Sequence, residues 1–175
     1  MSSALLVTPE EYLSRTEKPY CEFIDGVLHP KPMPTTLHAF IQALLLSLLQ
    51  RQKVHALPEV TLRLSETQFL IPDVIATKRL EFPYPTEPVL LCVEILSPES
   101  RLSAAFAKCE DYHAWGVPYC WVIDPLKRTA WEYHGAADPV PFDATGTLHA
   151  GELQVSLQEM FAQLPEASAE APQKP

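Results

Sequence analysis

Two carboxylates stand out in this chain because of the segments in which they lie. Asp73 follows Pro72, and Glu94 lies 21 residues further on, inside the apolar run 89–96. A carboxylate in a run with the Val, Leu and Ile content of a buried strand is costly unless something binds it. If the segment with Asp73 lies beside this strand, two oxygen ligands converge, which suits Mg²⁺ or Mn²⁺ better than Zn²⁺. The first hypothesis is therefore a site for a hard divalent cation.

Each of these acids also has an ordinary structural interpretation. Pro-Asp is a common turn dipeptide, so Asp73 could simply cap the end of a strand. Glu94 could pair with a buried arginine. Their occurrence together on neighbouring strands would favour the metal site over both alternatives.

Three further side chains are candidates for the same site. Lys108 lies on the flank of a predicted helix, where its ammonium could reach the strand ends and orient water, or could simply be solvated. His38 lies near the start of another predicted helix, where a partly buried structural histidine is the alternative. Glu22, on a predicted hairpin strand, is ambiguous by itself. The histidine spacing matches no zinc-hydrolase motif, and no P-loop, G-x-S-x-G or G-x-G-x-x-G motif occurs.

Composition favours one soluble domain without a global basic field. The 175 residues are 47% hydrophobic, and 13 Lys and Arg against 22 Asp and Glu give a net charge of −9. Four widely spaced cysteines fit a reducing cytoplasm, and no secretory signal or membrane span is visible. We expect a single domain over residues 1–164 and a disordered tail over 165–175, which is rich in Ala, Glu and Pro.

The helices that must position the candidates are predicted from apolar spacing and capping residues. Apolar residues at 3.6 spacing predict a long helix from Thr35 to about Lys53. Thr8 and Pro9 begin a short capped helix, and Asp25-Gly26 predicts a tight hairpin turn. His38 should therefore lie in the first turn of the long helix.

Alternating and continuous apolar runs predict the strands. Residues 60–64 alternate and are expected to pair with 69–76, whereas 89–96 and 119–123 read as buried strands. A helix beginning at Ser97–Glu99 and ending near Gly116 should connect these two. This strand-helix-strand order favours an α/β fold with a mixed sheet flanked by helices. Further elements are predicted as a loop at 77–88, strands at 129–133 and 153–155, and a helix at 156–163.

Short motifs also recur in a fixed order over roughly residues 8–164. They are Tyr20–Gly26, His38, Pro72–Val74, Val93–Pro98, Lys108, Tyr112 and Gly116–Pro125. In this order and spacing the chain resembles the bacterial restriction-endonuclease-like domains of the PD-(D/E)XK nuclease superfamily. The first motif is similar to the family's Y-E-L-I-D-G.

The resemblance implies a set of roles for the candidate residues. Asp73 and Glu94 would bind the catalytic Mg²⁺ or Mn²⁺ with the backbone carbonyl of Ile95. The superfamily lysine stands two residues after the second acid, where this chain has Leu96, and Lys108 matches the relocated lysine of this family. Glu22 and His38 match positions near the site, where a second metal is bound or water is positioned. Ala104 departs from the family, whose members often carry an acid one turn before that lysine.

The function that these expectations favour is metal-dependent endonuclease cleavage of DNA, leaving a 5′-phosphate. Because affinity for DNA comes largely from Lys and Arg, a basic rim is needed around the site. Its candidates are Arg79, Arg101, Lys108, Lys127 and Arg128. The alternative is a catalytically inactive module that keeps the nuclease scaffold for protein or nucleic-acid binding. A homodimer is compatible with a nuclease, since cutting both strands of a duplex needs two sites or two encounters.

Overall fold

The structure is a computed structural model that describes residues 6–17, 20–135 and 138–164. The tail expected at 165–175 lies outside the described residues. No helix in the described part of the chain is long and apolar enough to cross a bilayer.

The elements follow the predicted order of strands and helices. The helices are α1 (Pro9–Leu13), α2 (Thr36–Gln50), α3 (Leu102–Trp115) and α4 (Leu157–Ala162). The strands are β1 (Cys21–Ile24), β2 (Val27–Pro30), β3 (His55–Pro58), β4 (Leu62–Arg63), β5 (Gln68–Leu70), β6 (Val74–Thr77), β7 (Leu91–Ile95), β8 (Tyr119–Asp124), β9 (Thr129–Tyr133), β10 (Val140–Phe142), β11 (Thr147–Ala150) and β12 (Leu153–Ser156).

A six-stranded mixed sheet forms the centre of the fold, with the strand order β10-β9-β8-β7-β6-β3. Strands β7 and β8 are parallel and are connected by α3, whereas the other pairs are antiparallel. A second sheet has the order β2-β1-β5-β4, and β11 pairs with β12. The predicted mixed sheet with flanking helices is therefore confirmed.

The alternation of side chains along β7 determines which face carries the candidate acid. Val93 and Ile95 belong to a core cluster that also includes residues of α2 and α4. Cys92 belongs to a second cluster that includes the buried residues of α3. Because successive side chains of a strand point to opposite faces, Glu94 shares the face of Cys92 and lies towards α3.

Local signals at the ends of the elements agree with the sequence. The Thr8 side chain and Glu11 form a capping box at α1, and Thr35 caps α2 by accepting a hydrogen bond from the His38 amide at 3.2 Å. Gly116 ends α3 with φ +115°, a conformation that is open to glycine and strained for other residues.

The predicted strand 69–76 is wrong in one respect, because it is broken in the middle. Its first part, β5, pairs with β1 and β4, whereas its second part, β6, pairs with β3 and β7 in the other sheet. Pro72 has no amide to donate at the break, and the Ile71 amide donates to the Glu22 carboxylate at 3.0 Å. Residues 60–64 therefore pair only with the first part, and β3 was not predicted.

The start of α3 and two further strands also differ from the prediction. Helix α3 begins at Leu102 rather than near Ser97, because Ser97 and Ser100 close a separate turn through backbone and hydroxyl hydrogen bonds. Strands β10 and β11 lie in a segment for which the sequence showed no clear alternation.

Candidate active site

The antiparallel pairing of β6 and β7 brings the two candidate acids together. Val74 lies opposite Val93 in antiparallel register, so Asp73, which precedes Val74, and Glu94, which follows Val93, meet at one end of this pair. Both acids are buried, with 4% and 7% of their surface exposed. The segment with Asp73 thus lies beside the strand of Glu94, which is the arrangement that the cation hypothesis required.

Asp73 is surrounded by donors of hydrogen bonds and by positive charge. Its Oδ1 accepts from Lys31 Nζ at 2.9 Å and lies 3.5 Å from His38 Nε2, and its Oδ2 accepts from the Ile95 amide at 2.7 Å. The side chain of Gln42 holds the backbone carbonyl of the same residue at 2.7 Å. Burial raises the pKa of Asp73, but His38, Lys31 and the Ile95 amide outweigh it and hold the pKa well below its usual value. Asp73 is therefore ionised at neutral pH.

Glu94 is placed between a phenol and an ammonium on α3. Its Oε1 accepts from the Tyr112 hydroxyl at 2.7 Å, and its Oε2 lies 3.2 Å from Lys108 Nζ. Residues four apart share one face of a helix, so α3 presents both groups to the same carboxylate. Burial raises the pKa of Glu94, Lys108 opposes this, and the negative charge of Asp73 adds to it. The net result is a carboxyl that holds its proton more tightly than an ordinary glutamate.

Lys108 connects the two sheets through a second carboxylate. Its Nζ lies 2.8 Å from Glu22 Oε1, which also accepts the Ile71 amide. Burial lowers the pKa of Lys108, but the nearby charges of Glu94 and Glu22 raise it well above its usual value. Lys108 therefore remains an ammonium at neutral pH and acts as a donor and a cation rather than as a base.

His38 lies at the edge of this cluster with one unused ring nitrogen. Its side chain is 9% exposed, and Nδ1 is buried without a hydrogen-bond partner among the described residues. The ring lines the cavity that also contains Asp73 and Glu94. Because a buried polar nitrogen without a partner is costly, Nδ1 is an unsatisfied group of this residue in the described structure.

All five predicted site residues line a single cavity of about 340 Å³. Its wall also includes Ile95 and Ala104, so the acid that the family often has at position 104 is missing from the wall itself. The full set of charged lining residues is Glu22, Lys31, Glu59, Asp73, Glu94, Glu99, Arg101 and Lys108.

The basic residues expected at the rim are only partly gathered there. Arg101 and Lys108 line the cavity. Lys127 and Arg128 lie in the turn after β8, at the edge of the sheet where β7 also ends, because these two strands are parallel. Arg79 follows the far end of β6, which pairs with the start of β7, so this arginine lies at the opposite edge.

The sequence of this chain matches a known protein family over most of its length. The sequence model of the Uma2 family, described as "Putative restriction endonuclease", matches residues 9–164. The chain belongs to the Uma2 family. The family resemblance is thereby confirmed. Among curated proteins, none matches this chain.

Two solved structures resemble this Uma2 chain. The first is described as a putative nuclease belonging to DUF820 from Anabaena variabilis, with a TM-score of 0.75, 23% identity, and coverage of 89% of this chain and 98% of that one. The second is a DrdV–DNA complex with a TM-score of 0.40 and 14% identity, which covers 71% of this chain and 11% of that one. The first likeness supports the fold.

The donor atoms at this site of the Uma2 chain are oxygens, the type that a hard cation prefers. Asp73 and Glu94 offer carboxylate oxygens on one cavity wall, to which Ile95 also contributes. Within the described ranges, no group of three or more His, Cys, Asp or Glu side chains is arranged to hold a metal ion. Mg²⁺ in proteins commonly uses one or two carboxylates and keeps several waters, so two acids are enough for such an ion.

Sequence reasoning missed Lys31, which contacts Asp73 more closely than any other side chain described here. Lys31 follows β2 in a proline-rich segment, where the expectation was a turn and nothing more. Its ammonium also donates to the Ile71 carbonyl at 2.7 Å. The predicted hairpin placed Lys31 just beyond the strand that pairs with the strand of Glu22, and so near one candidate acid. Nothing in the sequence indicated that its partner is Asp73, 42 residues away.

Proposed function

We propose that this Uma2 chain is a metal-dependent DNA endonuclease that hydrolyses phosphodiester bonds. The observation that carries the proposal is the convergence of Asp73, Glu94 and Lys108 on one cavity. Two carboxylates beside one protonated lysine combine ligands for a cation with a donor for an anionic oxygen. Such groups can together serve metal-assisted phosphate hydrolysis.

The roles of the side chains follow from their contacts. Asp73 and Glu94 would hold Mg²⁺ or Mn²⁺ together with the Ile95 carbonyl. When bound, this cation neutralises charge on the scissile phosphate and lowers the pKa of a bound water. The Ile95 amide and Tyr112 hold the two carboxylates in place.

Lys108 and His38 would serve the phosphate and the water. Because Lys108 stays protonated, it donates to an anionic oxygen in the transition state and does not remove the proton of the attacking water. His38, whose Nε2 lies 3.5 Å from Asp73 Oδ1, would position a water beside that carboxylate. Glu22 keeps the ammonium of Lys108 directed into the cavity.

DNA as the substrate is supported by the description of the Uma2 family and by the basic groups at one edge of the sheet. Arg101 at the cavity and the turn with Lys127 and Arg128 lie on the side where β7 and β8 end. Such groups can contact phosphates without reading a base sequence.

A binding module without catalysis is the second candidate, and one observation favours it. Of the charged residues that line the cavity, five are acids and three are bases, and Ala104 takes the place of an acid that the family often carries near its lysine. An acidic cavity repels a phosphodiester until a cation is present. The two functions therefore differ in whether a divalent cation produces cleavage.

Cleavage of supercoiled plasmid and of single-stranded DNA with Mg²⁺ or Mn²⁺ tests the proposal. We expect nicked and linear products that disappear when EDTA removes the metal. Asp73→Asn should abolish them, and Lys108→Met should lower the rate by about 10²- to 10³-fold, because one donor to the developing charge is lost.

Matched variants control for changes in charge alone. Asp143→Asn and Lys78→Met alter exposed residues that do not line the cavity, and both should cleave like the unmodified chain. Cleavage that survives both Asp73→Asn and Lys108→Met would show that the activity has another source. Binding of DNA without metal-dependent products would favour the module.

A further inference from the structure

Lys31 reaches into the cavity from a segment outside the regular elements. It follows Pro30, the last residue of β2, and its amide donates to the Tyr20 carbonyl at 2.8 Å. Its side chain is 12% exposed and ends on two oxygens, Asp73 Oδ1 at 2.9 Å and the Ile71 carbonyl at 2.7 Å. The backbone is thus fixed at one end and the ammonium at the other.

The acceptors of this ammonium are of the type that a hard cation selects. A carboxylate oxygen and a backbone carbonyl are common ligands of divalent cations, and one of these acceptors belongs to a proposed metal ligand. Burial raises the pKa of both acids, whereas His38 lowers that of Asp73 and Lys108 lowers that of Glu94. The charge of Lys31 lowers the pKa of both acids. Lys31 is therefore the counter-charge in direct contact with Asp73, and its charge also acts on Glu94.

Lys31 and Lys108 differ in how many carboxylate partners each would keep when a cation binds. Lys108 forms ion pairs with both Glu22 and Glu94, so it keeps Glu22 as a partner when Glu94 binds a metal. Lys31 has a single carboxylate, Asp73, within ion-pair distance in the described structure. A divalent ion on the same oxygen would stand within a few ångströms of the ammonium, and this repulsion is strong in a buried site.

We propose that the Lys31 ammonium stands in for the divalent cation in the metal-free protein and is displaced when the cation binds Asp73. Lys31 thereby sets the affinity of the site for metal. This inference rests on the proposed function, because it takes Asp73 and Glu94 as the metal ligands. The purely structural alternative is that Lys31 is a fixed ion pair that stays in place with or without metal.

Calorimetric titration of metal-stripped protein with Mn²⁺ distinguishes displacement of Lys31 from a fixed ion pair. Lys31→Met should bind Mn²⁺ on the order of tenfold more tightly than the unmodified chain, because the cation no longer has to displace a competing charge. Lys31→Arg keeps the charge and should stay close to the unmodified affinity. Lys78→Met, an exposed lysine at the far edge of the sheet, should leave the affinity unchanged.

A second measurement avoids reliance on a variant that could be destabilised without metal. Acylation of lysines in the unmodified chain, read by mass spectrometry, should be slow at Lys31 without metal and several-fold faster with saturating Mn²⁺. Asp73→Asn should show fast acylation of Lys31 that does not respond to Mn²⁺. Unchanged protection of Lys31 in a protein that has bound Mn²⁺ would overturn the displacement.

The outcomes distinguish this inference from the proposed function. Equal Mn²⁺ affinity of Lys31→Met and the unmodified chain overturns the competition and leaves the metal site standing. If neither protein binds Mn²⁺, both the competition and the metal-dependent mechanism are wrong. Binding by Lys31→Met alone would support the inference most strongly, since the lysine would then be the barrier to metal.

Discussion

Glu94 and Glu132 are both glutamates on the central sheet with 7% of their surface exposed, yet their surroundings differ. Glu132 on β9 pairs with Trp121 of β8, whereas Glu94 pairs with Val122, the next residue of that strand, so the two side chains point to opposite faces. Glu94 faces a cavity that four other acids also line, namely Glu22, Glu59, Asp73 and Glu99.

Glu132 is satisfied by neighbours that require nothing from outside. Its Oε1 accepts the His149 amide, and its Oε2 lies 3.0 Å from His134 Nε2. It does not line the active-site cavity. A buried carboxylate is therefore a structural group when local donors saturate it. It becomes a candidate for chemistry when other acids share its space and a cavity admits a ligand.

The largest expected contrast is in cleavage. Glu94→Gln should lower the rate of plasmid cleavage by at least about 10³-fold, because a proposed metal ligand is lost and with it several kcal/mol of charge stabilisation. Glu132→Gln should cleave at the unmodified rate in the same assay. Equal loss in both variants, with the fold of each checked by circular dichroism, would remove the distinction between the two glutamates.

The second contrast is in stability, where Glu132 is expected to contribute more than Glu94. Glu132→Gln should lower the free energy of unfolding by about 1–3 kcal/mol, since a buried carboxylate that accepts hydrogen bonds is replaced by an amide that cannot satisfy all the donors. Urea denaturation of metal-free protein measures this. A conservative Glu159→Gln on α4, where the side chain is exposed, should change the value by much less. An unchanged stability of Glu132→Gln would mean that its partners contribute little.

A smaller effect is expected when the support of Glu94 is removed and Glu94 itself is kept. Tyr112→Phe deletes the hydroxyl that holds Oε1 and preserves the buried ring. Because partners behind a metal ligand orient it, we expect Mn²⁺ affinity to fall by about tenfold. Tyr119→Phe serves as the matched control, since that hydroxyl lies outside the cavity. Unaltered Mn²⁺ binding by Tyr112→Phe would show that Lys108 alone positions the carboxylate.

The smallest effect is a pH dependence that belongs to Glu94. Burial and the charge of Asp73 raise its pKa against the opposing Lys108, so the folded state binds this proton more tightly than the unfolded chain, in which the pKa is about 4.5. As the pH rises from about 4.5 through the raised pKa, the unmodified metal-free chain should lose stability relative to Glu94→Gln.

Urea denaturation across this pH range checks the sign, and a variant with the opposite shift provides the control. Hydrogen bonds from Thr145 lower the pKa of Asp143, so the unmodified chain should gain stability relative to Asp143→Asn as the pH rises. An unmodified chain that gains stability relative to Glu94→Gln as the pH rises would contradict the environment described for Glu94.

Much of the fold was predictable because its signals are local. The hairpin at Asp25-Gly26, the cap at Thr8 and the crossover from β7 through α3 to β8 depend on residues close in sequence, and all three occur as expected. The break at Pro72 was missed for a different reason. Both halves of that segment are apolar, and which sheet each half joins depends on strands far away in the chain.

The amino-acid pattern by itself determined the helices and most strands and singled out Asp73, Glu94 and Lys108, because periodicity, caps and an acid in an apolar run can be recognised without knowing the neighbours. Only the tertiary structure decided which charges meet. Lys31 contacts Asp73 across 42 residues, and Lys108 joins Glu22 to Glu94 across two sheets. Such contacts depend on strand register and on the direction of side chains from distant segments, and the same physics separates Glu94 in its cavity from Glu132, which local donors satisfy.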